Sequence, residues 1–175
     1  MTESNNEILQ RLAIESYEVS TSKDWHVGDE LDSSGMPTVR QLLAWVALCQ
    51  SEVTEAEDEL AHYYLDGTKP CGKVTELADV AIRLWDMAGR CLFAQFDYEL
   101  SGRIEPIRKS LDRITERARI DGVGRRVSAL IQDAVDSTFH EASAIGYGFD
   151  MFVWVIEQKM AYNRTRSHRH NGKLA

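Results

Sequence analysis

Two stripes of apolar residues recurring at intervals of three and four constrain this chain more than any other feature, because only an α-helix gathers residues so spaced onto one face. Leu42, Trp45, Val46, Cys49, Val53, Ala56 and Leu60 form the first stripe, and Leu77, Val80, Leu84, Met87, Ala88 and Cys91 the second. Between them, Asp66-Gly67-Thr68-Lys69-Pro70 combines turn-forming residues. The sequence therefore predicts a helix from Thr38 to near Leu65 and another from about Lys73, folded as a helical hairpin.

The rest of the chain repeats the pattern. Ile8, Leu9, Leu12 and Ala13 mark a short amphipathic helix within residues 1–20, whereas residues 20–37 are rich in Ser, Asp and Gly and read as loop, with Pro37 marking a turn. Residues 104–118 and 123–145 carry two more helical patterns, broken at Asp121-Gly122 and closed by Gly146-Tyr147-Gly148. A last helix begins near Phe149, with Phe152, Val155, Ile156 and Met160 on its apolar side, and frays after Ser167. No segment alternates as a strand, and the expectation is a single all-α domain over residues 1–175, arranged as a helical bundle.

Composition narrows the function classes. A 43% hydrophobic content over 175 residues suffices for one core. No run reaches the roughly 18 apolar residues of a membrane span, and MTESNNEILQ lacks a basic segment followed by an apolar one, so a cytoplasmic protein without a membrane partner is expected. Cys49, Cys71 and Cys91 are odd in number and lack Cys-x-x-Cys spacing, which favours reduced thiols, with Cys49 and Cys91 in the core. The net charge of −8 argues against a nucleic-acid partner. Positive charge instead gathers at the end of the chain, in Lys159, Arg164, Arg166, Arg169 and Lys173.

The helical phase of the acids is more informative. At about 100° per residue from Glu52, the first apolar stripe spans about 20–100°, while Glu52, Glu55 and Glu59 fall at about 0°, 300° and 340°. Counted from Glu76, the second stripe spans the same range and Asp79 lies at about 300°. If the stripes face each other, Glu52, Glu55, Glu76 and Asp79 meet at the rim of the core. Four carboxylates together repel unless a divalent cation sits among them, and oxygen ligands are those that magnesium prefers. An isolated pair of acids three apart is ordinarily a solvated face; two matched pairs on successive helices are not so easily explained. Lys159, Asn163 and Arg166 stand at i, i+4 and i+7 and project from one face of the last helix, where they can grip phosphate. His140, His168 and His170 form no ligand spacing and read as solvated, while Trp45, Trp85 and Trp154 fit helix packing as well as base stacking.

Ser51-Glu52-Val53-Thr54-Glu55-Ala56 followed by Glu76-Leu77-Ala78-Asp79-Val80 resembles the Glu-x-x-Glu, gap, Glu-x-x-Asp signature of MazG-like and dimeric dUTPase-like all-α pyrophosphohydrolases. The ending, from Lys159 through Asn163 and Arg166 to Lys173, is similar to the Lys-x-x-x-Asn-x-x-Arg segment and basic tail of MazG-like proteins. The resemblance covers roughly residues 38–96 and 149–175. Against that family pattern, residues 97–148 stand as a helical insert, residues 167–175 as a basic flexible tail, and Asn171 occupies a place where glycine is common.

The resemblance implies hydrolysis of a nucleoside triphosphate to a monophosphate and diphosphate. It implies Glu52, Glu55, Glu76 and Asp79 as ligands of Mg2+, with Mn2+ a possible substitute, and one of the glutamates as general base. Lys159, Asn163, Arg166, Arg169 and Lys173 would bind the phosphates. It also implies a homodimer or larger homo-oligomer. The substrate base stays open, and the alternative class is a catalytically silent helical scaffold or interaction protein that keeps its carboxylates as a structural metal site.

Overall fold

In the computed structural model, residues 3–91 and 105–166 are described. Six helices occur among them: α1 (Asn5–Ser22), α2 (Val39–Asp58), α3 (Lys73–Arg90), α4 (Ile107–Asp121), α5 (Arg125–Ala144) and α6 (Phe149–Thr165). Local chemistry sets the first two starts. Ser4 Oγ accepts from the Glu7 amide while the Ser4 amide donates to Glu7 Oε2, a reciprocal box that satisfies two otherwise orphaned donors of α1. Thr38 Oγ1 accepts the Gln41 amide at the head of α2.

Helix α2 ends at Asp58, short of the expected Leu65. Its last turn carries Glu55, Glu57 and Asp58 and no basic residue, so negative charge accumulates at the negative end of the helix dipole. Glu59 turns extended, at φ −89° and ψ 157°, and the chain forms a hairpin absent from the sequence reading. Its antiparallel strands, β1 (Tyr64–Asp66) and β2 (Lys69–Cys71), are paired in the register Tyr64 with Cys71 and Asp66 with Lys69. Three residues per strand are too few for alternation to show in a sequence.

The hairpin delivers the chain to the head of α3. Gly72 adopts φ +106°, and a Cβ there would lie 2.1 Å from the His62 carbonyl oxygen, so only glycine fits. The Lys73 amide donates to the Leu60 carbonyl at 2.7 Å, tying the start of α3 to the segment just beyond α2. Helix α3 is largely enclosed and packs against α1, α2, α5 and α6. Leu77, Leu84 and Trp85 are fully buried in a core that also takes Leu42 and Cys49 from α2 and Phe152 and Ile156 from α6. Helices α4 and α5 join that core through Leu111, Ile114, Ile131 and Val135. Cys49, Cys71 and Cys91 are all buried free thiols. Among the described residues, no helix is long and apolar enough to cross a membrane.

Candidate metal centre

Glu76, Asp79 and Arg83 follow one another at i, i+3 and i+7 along the edge of α3, beside its apolar stripe. Helix α2 sets Glu52 against that edge. One carboxylate oxygen from each of Glu52, Glu76 and Asp79 lies within 4.8 Å of the others. Glu52 and Glu76 are buried and Asp79 is half-buried. Glu55, expected at the same rim, is exposed and stands outside this trio. Its charge still reaches the site and adds to the upward shifts of Glu52 and Glu76.

Two cations enter the cluster. Lys159 arrives from α6, its side chain 4% exposed, and places Nζ 2.7 Å from Asp79 Oδ2. Arg83 donates from both Nε and Nη2 to Glu52 Oε1, the Nε contact being 2.8 Å. Lys159 thus touches a carboxylate in the role where the sequence placed it on phosphate. Arg83 escaped the sequence reading; its signal was its position one turn beyond Asp79 on the acid-bearing edge.

The electrostatics follow from burial. Loss of water pushes the Glu76 carboxyl up to about 7; Lys159 opposes the rise, and Asp79, Glu52 and Glu55 reinforce it. No hydrogen bond reaches that carboxylate among the described residues. Burial also raises Glu52, against the pull of Arg83. Burial works against the Lys159 ammonium, but Asp79, Glu76 and Glu52 outweigh it and hold it above the ordinary lysine value. One turn beyond, Asn163 is 4% exposed and its Oδ1 is buried with no hydrogen-bond partner among the described residues.

Three carboxylates whose oxygens lie within 4.8 Å of one another form a donor set of hard oxygens, the ligand type that Mg2+ and Mn2+ prefer. Glu52, Glu76 and Asp79 would hold the ion. In its absence Arg83 and Lys159 supply neutralising charge to Glu52 and Asp79.

The remaining expected phosphate ligands divide in two. Arg166 caps α6 in an extended conformation, at φ −69° and ψ 143°, so the helical register that would align it with Lys159 ends one residue earlier; its carbonyl accepts from Lys23 Nζ at 2.7 Å. Arg169, Lys173, His168 and His170 lie outside the described residues. His140 is exposed, Trp85 is in the core, and Trp154 is 47% exposed with its ring edge against Tyr63, at a 5.0 Å centroid separation.

Sequence reading also missed a second polar group farther along α3. His26 stacks on Tyr17 and lies 2.8 Å, Nε2 to Oδ1, from Asp86, while Asp29 and Arg90 pair at 3.3 Å. These contacts bind the segment between α1 and α2 to the acid-bearing helix, where composition alone indicated only loop. A groove of about 300 Å³ between α4 and α5, lined by Arg113, Glu116, Arg117, Arg126, Ala129 and Leu130, shares no residue with the acid cluster. No protein-family model, curated protein or solved structure matches this chain.

Proposed function

We propose that this protein is a Mg2+-dependent nucleoside triphosphate pyrophosphohydrolase of the MazG-like, all-α type, cleaving between the α and β phosphates to give a nucleoside monophosphate and diphosphate. The observation that carries the reading is the convergence of Glu52, Glu76 and Asp79 from two helices, with the buried Lys159 and an Asn163 Oδ1 that has no partner among the described residues brought up by a third. Pairs of acids on one helix are common; two buried carboxylates and a half-buried third gathered by tertiary packing are costly unless they bind something.

A bound divalent cation would supply charge neutralisation at the phosphate oxygens and lower the pKa of a coordinated water. The chain's own groups do the rest. Lys159, fixed by packing, presents a cation that does not have to reorganise as negative charge develops. Asn163 offers its amide one turn away. Glu55, outside the trio and open to solvent, is the glutamate free to accept the proton of the attacking water. Arg169 and Lys173 complete the phosphate contacts from the basic tail, and the protein works in the cytoplasm. A homodimer is proposed with Leu60, Leu65, Met151 and Trp154 in its interface, large apolar residues that are 70%, 58%, 54% and 47% exposed.

One observation favours a second reading. Arg83 and Lys159 already neutralise two of the three carboxylates, as a salt-bridged scaffold without catalysis would require. Diphosphate release from a panel of ribo- and deoxynucleoside triphosphates, with Mg2+ and with chelator, separates the two. Mg2+-dependent release that is lost in Glu52→Ala supports the enzyme; no release from any triphosphate supports the scaffold.

A further inference from the structure

The two cations of the acid cluster are not equivalent. The Lys159 side chain is 4% exposed and enclosed between helices, whereas the Arg83 side chain is 40% exposed although its partner Glu52 is only 10% exposed. Arg83 is thus the more exposed of the two cations, taken over the whole side chain. Its two donating nitrogens converge on a single oxygen, Oε1, so the planar fork is not matched to the two oxygens of the carboxylate. Of the five N–H groups of a guanidinium, that contact engages two. The same fork matches two oxygens of a phosphate, and guanidinium sheds water more readily than ammonium does.

We infer that Arg83 is a transferable counterion: it neutralises Glu52 in the metal-free protein and is handed to a phosphate of the nucleotide when Glu52 is committed to a divalent cation. The inference rests on the nucleotide reading above and adds to it a substrate-binding residue that the acid and tail motifs do not contain. A divalent cation that draws on Glu52 Oε1 competes with the guanidinium for that oxygen, and a displaced Arg83 held near that cation would be repelled unless an anion receives it. The triphosphate is that anion. Lys159, enclosed, stays where it is.

The exchange makes opposite predictions for metal and nucleotide, which a passive strut does not. Arg83→Met keeps much of the packing stem and removes the charge; Arg83→Lys keeps the charge and removes the fork. Calorimetric titration of each with Mn2+ alone, then with an α,β-imido nucleoside triphosphate in saturating Mn2+, reads both halves. Arg83→Met is expected to bind Mn2+ alone about tenfold more tightly than the parent and the analogue about tenfold or more weakly, the scale of one charge-assisted contact. Arg83→Lys is expected to stay near the parent for Mn2+ and still to lose analogue affinity. Far-UV circular dichroism and a melting curve of Arg83→Lys keep the test open should Arg83→Met fail to fold. Unchanged analogue affinity in a folded Arg83 variant overturns the handover whichever way Mn2+ moves, and weaker Mn2+ binding by Arg83→Met marks Arg83 as a fixed support for Glu52. A parent protein that binds neither Mn2+ nor the analogue refutes the nucleotide reading itself.

Discussion

Lys159 Nζ and Asp79 Oδ2 meet at 2.7 Å in a site closed to solvent on the lysine side. Removing Lys159 leaves the half-buried Asp79 without its cation and beside two further acids, so Lys159→Met should destabilise the metal-free protein by about 2–4 kcal/mol. The double variant with Asp79→Asn should cost less than the sum of the singles, because the two share one interaction. Urea unfolding in chelator measures both, and a parental midpoint for Lys159→Met would contradict the pairing. Diphosphate release by Lys159→Met should fall by about 10²–10³, as when one preorganised charge-stabilising group is lost.

Glu76 gives a pH dependence with a definite sign. Its folded pKa, about 7, lies above the ordinary glutamate value of 4.5, so the folded chain holds a proton that the unfolded chain releases. Below pH 4.5 the group contributes nothing; between there and pH 7 it progressively destabilises the fold, reaching about 3 kcal/mol above that range. Glu76→Gln should therefore be more stable than the parent at pH 8 in chelator and no more stable at pH 4. Chemical unfolding at the two pH values tests this, and Mg2+ should erase the advantage at pH 8.

Glu52 and Glu55 should separate as ligand and non-ligand. Glu52 is buried within the carboxylate trio, whereas Glu55 is exposed outside it. Glu52→Gln should abolish high-affinity Mn2+ binding in calorimetry, while Glu55→Gln should retain it within about threefold and yet lose about 10²–10⁴ in turnover as the proposed base. Loss of Mn2+ binding in Glu55→Gln would place that residue among the ligands.

Gly72 should be intolerant of any side chain. At φ +106°, with the His62 carbonyl oxygen 2.1 Å from the place of a Cβ, Gly72→Ala must move the backbone at the head of α3. A loss of about 2–4 kcal/mol is expected from strain and clash together. Because Glu76 lies in the first turn of that helix, Mn2+ affinity should fall with it. Gly67→Ala, at φ +60° with nothing within 4 Å, should be milder in both measurements.

What the sequence disclosed and what it withheld divide along physical lines. The edges carrying Glu52, Glu76 and Asp79 were legible because helical phase is a property of spacing, and the start of α3 at Lys73 followed from the turn residues before it. The hairpin was not legible, since its three-residue strands are held by backbone pairing and by Gly72. Nor was the early end of α2, which reflects acids at an unfavourable helix end against a still apolar Leu60. Lys159 read as a phosphate ligand because nothing local shows that α6 lies beside Asp79. Arg83 resembled any basic residue on a helix until packing placed Glu52 next to it.

Helix α3, flanked by α1, α2, α5 and α6, carries two of the three clustered acids. A segment so placed cannot come apart locally without dismantling its neighbours, so its amide hydrogens should exchange with deuterium only through global opening, among the slowest in the chain. The stretch between α1 and α2, fastened to it by His26–Asp86 and Asp29–Arg90, has no such obligation and should exchange orders of magnitude faster. Glu76 and Asp79 thus ride on the part of the molecule that yields last. Any ligand of the cluster would be accommodated by side chains, leaving the backbone that sets the carboxylate spacing undisturbed.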